Sequence, residues 1–209
     1  MKKTDNRRFI SFEGIDYSGK SSQINLLRDY LSDKGFEVYV LREPGGTIIS
    51  EKIREILLDK KNNEMDKMAE IFLYSAARIQ LTNEKIAPLL IKGYYVLADR
   101  FVDSTTAYQG FGREINLDLV KKINEAATGG LMPGLTFYLE IEPKLAALRR
   151  VESGRTEDRL EKSGIEFYNR VFEGYKKIAK QEPGRVKVID ARLSIEEIHR
   201  QIIKIININ

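Results

Sequence analysis

Cysteine is absent from the 209 residues, and histidine occurs once. The first absence excludes a disulfide scaffold, a thiolate metal site and a cysteine nucleophile together. The second leaves His199, set among Glu196, Glu197 and Arg200, as the only imidazole. A single imidazole argues against triad chemistry and against a histidine zinc site. No apolar run approaches the ~18 residues of a membrane-spanning helix. The opening stretch from Met1 to Arg8 is polar and carries no apolar segment of the secretory kind. A soluble cytoplasmic protein with no membrane association is therefore expected. Charge of one sign is also scarce: 35 Lys and Arg stand against 31 Asp and Glu, for a net +4. The two signs alternate along the chain, so the concentrated basic stripe of a nucleic-acid surface is missing and no nucleic-acid partner is expected. A mild positive balance suits an enzyme with polyanionic substrates.

A hydrophobic content of 42% over this length supports one core and a single domain over residues 1–209, with residues 1–7 as a polar extension. Short β-branched and aromatic runs at 9–13, 37–41, 94–98, 135–141 and 185–189 alternate with stretches of helical period. That alternation predicts an α/β fold built on a five-stranded parallel sheet wrapped by helices. Ile24, Leu27 and Leu31 form one helical stripe, closed by Gly35. Met65, Met68, Phe72, Ala76 and Ile79 form another, which Pro88 kinks or restarts and Gly93 ends. Further helices are expected at 117–127, 165–180 and 195–206. Residues 150–162 are highly charged, contain Gly154 and have few apolar side chains; they read as a short lid within the one domain.

The sharpest signal is Gly14-Ile15-Asp16-Tyr17-Ser18-Gly19-Lys20-Ser21, a complete G-x-x-x-x-G-K-S/T motif lying between a strand and an amphipathic helix. Glycines let the backbone N–H groups converge on phosphate oxygens, Lys20 adds a point charge, and the Ser21 hydroxyl can reach Mg²⁺. The following helix, beginning near Lys20, Ser21 and Ser22, points its positive end at the same anion. Tyr95-Val96-Leu97-Ala98-Asp99 is an apolar strand ending in a carboxylate, the pattern that holds Mg²⁺ beside such a loop.

This loop identifies a phosphoryl donor site and leaves the acceptor open. No guanine-reading N-K-x-D occurs. Arg42, Arg54, Arg78 and Arg100 follow strands or lie on the next helices, near the carboxyl ends of a parallel sheet where ligands gather. Tyr74 and Arg78 are four apart and share a helix face. Phe72 lies about 200° from Tyr74 and is assigned to the core stripe. An aromatic beside an arginine can serve as a platform for a base. A nucleotide kinase acting on another monophosphate or on a nucleoside, and a P-loop ATPase or regulatory module, fit the loop as well.

Several spaced motifs stand in a fixed order. Phe12-Glu13-Gly14-Ile15-Asp16 is followed by Arg42-Glu43-Pro44-Gly45-Gly46-Thr47 and Tyr74-Ser75-Ala76-Ala77-Arg78. Asp99-Arg100-Phe101 comes next, with Ser104 and Ala107-Tyr108-Gln109-Gly110. In this arrangement the chain resembles the thymidylate kinases, close to the bacterial members, over nearly all of its length after the first seven residues. The resemblance implies a P-loop NTPase fold of three α/β/α layers, a homodimer, and ATP with Mg²⁺ as donor. The reaction would convert dTMP to dTDP for dTTP synthesis. Residues 14–22 would hold ATP phosphates, with Ser21, Asp99 and Glu43 around the metal. Arg54 and Arg100 would hold the dTMP phosphate, and Tyr74 would stack on thymine. Arg78 with Thr105 or Gln109 would meet the base edge, with Ser104 nearby. Tyr108 would crowd the sugar 2′ position and Asp16 would meet the 3′-hydroxyl.

Two departures matter. Position 74 is usually Phe in that family. Position 17 is Tyr where some members carry an Arg that reaches the transferred group. The family logic then moves the missing charge to the lid, to Arg155 first and Arg150 second. Arg159 is expected to anchor the lid or meet adenine, and Arg149 reads equally as a helix surface residue. Lys20, Arg100, Asp16, Arg155 and Arg150 make up the expected catalytic set.

Overall fold

A computed structural model describes residues 6–154, 159–160 and 163–207. Arg155, five other positions of the expected lid and most of the N-terminal extension lie outside the described residues. Asn6–Arg8 already belongs to the fold, since Gly134 N–H donates to Asn6 O at 2.9 Å.

Five parallel strands form one sheet in the order β2-β3-β1-β4-β5. The central strand β1, Phe9–Glu13, is buried at every position, as expected for a parallel strand covered on both faces. Its neighbours are β3, Tyr95–Asp99, and β4, Leu135–Glu140; β2, Val38–Arg42, and β5, Val186–Asp190, form the edges. Each expected strand is present, displaced by a residue at most. Glu13, Arg42 and Asp99 end adjacent strands, so their side chains open onto one rim of the sheet.

Helix α1, Lys20–Asp33, buries Ile24, Leu27 and Leu31 as its stripe predicts. Gly35, at φ 81°, turns the chain out of it in a conformation with no Cβ penalty for glycine. α2 spans Ile48–Leu58 and is capped by Thr47, whose side chain accepts from Ser50 N–H. α3, Lys67–Leu81, runs through a π-helical turn at Thr82–Ile86 into α4, Ala87–Ile91. Pro88 therefore widens the helix and does not end it. Its ring would crowd a carbonyl of the preceding turn, and an added residue per turn relieves the clash. Short α5, Val102–Thr105, likewise continues into a π-helical stretch, Thr106–Gly112. α6, Leu117–Thr128, α8, Gly164–Gln181, and α9, Ile195–Ile206, lie where expected, the last opening with a Ser194–Glu197 capping box. α7, Pro143–Ser153, takes in Arg150 to Ser153 and stops at Gly154, φ 66°. The first four positions of the expected lid are thus helix. No helix among the described residues is long and apolar enough to cross a membrane.

One stripe is corrected. Phe72 is 55% exposed and Ile79 43% exposed, whereas Glu70, Ile71, Ser75, Ala77, Arg78 and Leu81 are the buried positions of α3. Two ionic groups, Glu70 and Arg78, share the inward face with Ile71, Ala77 and Leu81 because each finds a buried partner, while Phe72 and Ile79 are left outside. The same exposure continues on the adjoining α2, at Ile48, Ile49 and Ile56.

Candidate active site

The sheet's central strand delivers the phosphate cradle. Gly14 leaves β1 at φ 133°, where a Cβ would lie 2.6 Å from Leu139 O, so the loop can pass under β4 only without a side chain. Lys20 is almost wholly buried, and its Nζ arches back to Gly14 O at 3.1 Å and Ile15 O at 3.0 Å. Burial and the nearby Arg100 push its ammonium below the usual lysine range. Ser21 Oγ donates to Asp99 Oδ2 at 3.0 Å, so the end of β3 meets the first turn of α1. Tyr17 holds φ 64°, a left-handed backbone that costs a bulky residue energy and recurs at functional loops. Ser18 is buried, and its Oγ has no partner among the described residues. Above the loop lies a cavity of about 460 Å³, lined by Asp16, Tyr17, Gly19, Lys20, Ser21, Ser22, Arg42, Glu43, Arg54, Asp99 and Arg100.

Arg100 is the second strained position, at φ 74°. Its backbone N–H donates to Phe12 O at 3.0 Å, which fixes the residue across β1. The guanidinium then spans the site: Nη1 reaches Gly14 O at 2.9 Å and Ser104 Oγ at 3.1 Å, and Nη2 reaches Asp16 Oδ1 at 2.7 Å and Tyr108 Oη at 3.2 Å. Burial alone would raise the Asp16 pKa, but Arg100 and Lys20 outweigh it and hold the carboxyl below its ordinary range.

A second, narrower cavity adjoins the first. It is lined by Asp16, Glu43, Pro44, Arg54, Leu58, Tyr74, Arg78, Arg100, Ser104, Thr105, Tyr108, Gln109 and Leu160. Every residue expected at the acceptor is therefore brought to one pocket. Arg54 Nη1 donates to Pro44 O at 2.9 Å. Tyr74 is half-buried. Arg78 is 2% exposed and heavily engaged: with Glu43 Oε2 at 2.6 Å, Thr105 Oγ1 at 2.8 Å, Asn124 Oδ1 at 3.1 Å and Phe101 O at 3.1 Å. These bonds fix the fork of Arg78 before any ligand arrives. Glu43 keeps its other oxygen, Oε1, buried with no partner among the described residues.

The lid arginines separate. Arg149 Nη1 donates to Tyr17 O at 3.3 Å and Nη2 to Ala191 O at 2.9 Å, so it staples the phosphate loop to the chain after β5. It is not an idle surface residue. Arg150 lines a third cavity with Asp16, Tyr17, Ile165 and Tyr168. Arg159 is buried, donating to Leu57 O at 2.7 Å and to Glu70 Oε2 at 2.6 Å, which accounts for it as an anchor. Arg155 lies outside the described residues.

Sequence reasoning missed a buried set beneath the site. Glu13 accepts from Phe101 N–H at 2.7 Å, Ser104 Oγ at 2.6 Å and Tyr175 Oη at 2.9 Å. Burial, with Asp103 nearby, pushes its carboxyl up to about 7 against the pull of Ser104, Arg100 and the Phe101 N–H. Glu13 falls within the Phe12–Asp16 motif without a role assigned to it there, and Glu70, Asn124 and Tyr175 carry no local motif. Only Glu70 left a trace, since 70, 74 and 78 repeat at the helical spacing of four.

A five-stranded parallel sheet with a phosphate loop after its central strand, a carboxylate-bearing neighbour strand and a second arginine-lined pocket defines a P-loop nucleotide kinase. Comparison with known proteins takes this one step further. A family model described as thymidylate kinase matches residues 12–202. A thymidylate kinase of Chlorobaculum tepidum is 46% identical over 95% of this chain and 96% of its own length. One from Thermoanaerobacter pseudethanolicus is 46% identical over 95% and 97%. The crystal structure of thymidylate kinase from Ehrlichia chaffeensis superposes with a TM-score of 0.78 at 34% identity, covering 96% of this chain and 98% of that one. The chain belongs to the thymidylate kinase family, which phosphorylates dTMP to dTDP using ATP.

Proposed function

We propose that this chain transfers the γ-phosphoryl group of ATP to dTMP, giving dTDP and ADP, across the wall common to the two adjoining cavities. One observation carries this reading: Asp16, Glu43, Arg54 and Arg100 line both cavities. Two arginines on a shared wall stand where two phosphates must be drawn together against their repulsion.

On the donor side, the loop from Gly14 to Ser22 cradles ATP, and Lys20 leaves its resting carbonyls for phosphate oxygens. Ser21 and Asp99 supply hard oxygen donors for Mg²⁺. Among the described residues no group of three or more His, Cys, Asp or Glu side chains could hold a metal by itself. A site of one hydroxyl and one carboxylate, completed by phosphate and water, fits the habits of Mg²⁺. The unpartnered Oε1 of Glu43 fits a water of that shell. When bound, the ion neutralises charge on the transferring group.

On the acceptor side, Arg54 and Arg100 take the dTMP phosphate, Tyr74 stacks on the base, and Arg78, Thr105 and Gln109 face its edge beside Ser104. Tyr108, held by Arg100, crowds the sugar 2′ position, and Asp16 meets the 3′-hydroxyl. The acceptor is a phosphate monoester with a second pKa of about 6, largely dianionic at neutral pH, so it attacks without a general base. This agrees with a site that holds no histidine. The cavity has a volume of about 90 Å³, below the ~300 Å³ of ordinary ligand pockets, so its lining must open to admit the substrate. Arg155, or in second place Arg150, brings the charge that Tyr17 cannot.

The exposed Ile48, Ile49 and Ile56 of α2 and Phe72 and Ile79 of α3 support a homodimer through these two helices, since contiguous apolar surface of this kind marks an interface. A cytoplasmic setting follows from the substrates. The test is an acceptor panel: dTMP, dUMP, dCMP and thymidine with ATP and coupled ADP detection. dTMP is expected to give the highest kcat/KM, and preference for unphosphorylated thymidine would overturn the reading.

A further inference from the structure

Glu70 lies one layer behind the acceptor pocket, fully buried on the first turn of α3. Its two oxygens are shared by three side chains. Oε1 accepts from Gln109 Nε2 at 3.0 Å and Arg113 Nε at 3.2 Å; Oε2 accepts from Arg113 Nη2 at 3.2 Å and Arg159 Nη2 at 2.6 Å. All four contacts are donations to a carboxylate, which when ionised can only accept.

That has a consequence for Gln109, which also lines the acceptor pocket. The two ends of an amide are chemically opposite, and their orientation is set by the network around them. A carboxylate tolerates only the NH₂ end. Gln109 Oε1 makes no hydrogen bond among the described residues, so the end left over for the pocket is the acceptor end. An acceptor at that wall matches a base edge presenting an N–H, as the imide of thymine does. It opposes a base whose ring nitrogen is itself an acceptor, as in cytosine.

We infer that Glu70 is a positioning residue for base choice: it fixes the polarity of Gln109 so that the pocket offers a carbonyl oxygen to an imide N–H. The inference rests on the proposal that this pocket receives the base. The arginines are part of the device. Arg113 and Arg159 have no acceptor to offer, so any group at position 70 must turn an oxygen toward them. In Glu70→Gln that oxygen is the amide carbonyl, and its NH₂ then faces Gln109. Gln109 would have to turn its own carbonyl to meet it, and its NH₂ would enter the pocket. The substitution therefore inverts the polarity shown to the base.

The experiment measures kcat/KM for dTMP and for dCMP with ATP in the wild-type chain, Glu70→Gln, Glu70→Asp and Gln109→Leu. A site that satisfies a base edge through a buried group penalises the mismatched edge by about tenfold or more. Glu70→Gln is thus expected to lower the dTMP-to-dCMP ratio by about tenfold or more. Glu70→Asp keeps the charge for the arginines but is one methylene shorter; it releases Gln109 and is expected to lower the ratio by about threefold or more, from loss of a neutral hydrogen bond. It decides the matter if Glu70→Gln does not fold. Equal losses on both substrates, leaving the ratio within about twofold of wild type, assign Glu70 a structural role only and overturn the inference. If Gln109→Leu leaves the ratio unchanged, the placement of the base against Gln109 fails with it. If Gln109→Leu shifts the ratio and neither Glu70 variant does, the pocket stands and only the role of Glu70 falls.

Discussion

Arg100 Nη2 stands 2.7 Å from Asp16 Oδ1, although the two residues are 84 positions apart and start from different strands. The pair lies on the wall common to the two adjoining cavities. A planar fork held by Asp16, the Gly14 carbonyl and the Tyr108 hydroxyl can receive a phosphate without first being ordered, which is how a preorganised charge lowers a barrier. Replacing Arg100 with Lys keeps the charge and loses the fork. The expected outcome is a fall in kcat of about a hundredfold with the fold retained, read by steady-state kinetics beside circular dichroism.

Lys20 rests on the carbonyls of Gly14 and Ile15 and lines the cavity above the loop but not the narrower adjoining one. Lys20→Ala should therefore lower kcat by about two to three orders of magnitude while the Kd for dTMP, measured by calorimetry, changes little. A near-normal kcat would remove the cradle from the mechanism.

The lid choice is decided by comparing two alanine variants. Arg155→Ala is expected to reduce kcat about a hundredfold or more with little change in the KM for dTMP. Arg150→Ala should do less, because Arg150 lies at the end of α7 against the loop. A larger loss in Arg150→Ala reverses the assignment.

Glu13 gives a pH dependence whose sign is fixed. Its carboxyl is pushed up from 4.5 to about 7 in the folded chain, chiefly by burial. Between these values the native state keeps a proton that the unfolded chain has lost, so this group makes the protein less stable as pH rises from 4.5 to about 7, with no further change above. Glu13→Gln removes that slope. Denaturant unfolding of both proteins at pH 5 and pH 7.5 is expected to show a smaller decline for the variant than for the wild type; parallel declines would place the Glu13 pKa near its ordinary value.

Charge on the exposed apolar faces of α2 and α3 should separate two copies. Ile48→Asp, at a position 80% exposed, cannot disturb a core and is expected to convert a dimer to a monomer in sedimentation velocity. A wild-type chain that sediments as a monomer would sink the homodimer.

The sequence by itself determined the sheet, the helices of strong period and the phosphate loop. These features are local: strand runs, a helical stripe at 24, 27 and 31, and glycines at fixed offsets each act within a few residues of themselves. The family resemblance also named most of the residues that line the two cavities, though not Leu58 or Leu160. The failures share a cause. The stripe through Phe72 and Ile79 has the period of a core face, yet period reports only that apolar residues share a side, and the buried side of α3 carries Glu70 and Arg78 beside Ile71 and Leu81. Those two could turn inward because Glu43, Asn124, Arg113 and Arg159 wait there, on segments far away in the chain. Arg149 and Glu13 likewise have neighbours that only folding supplies. A charge buried in a protein is tolerable when its partner is in place, and which partner arrives is set by how the strands and helices pack, which no single stretch of sequence contains.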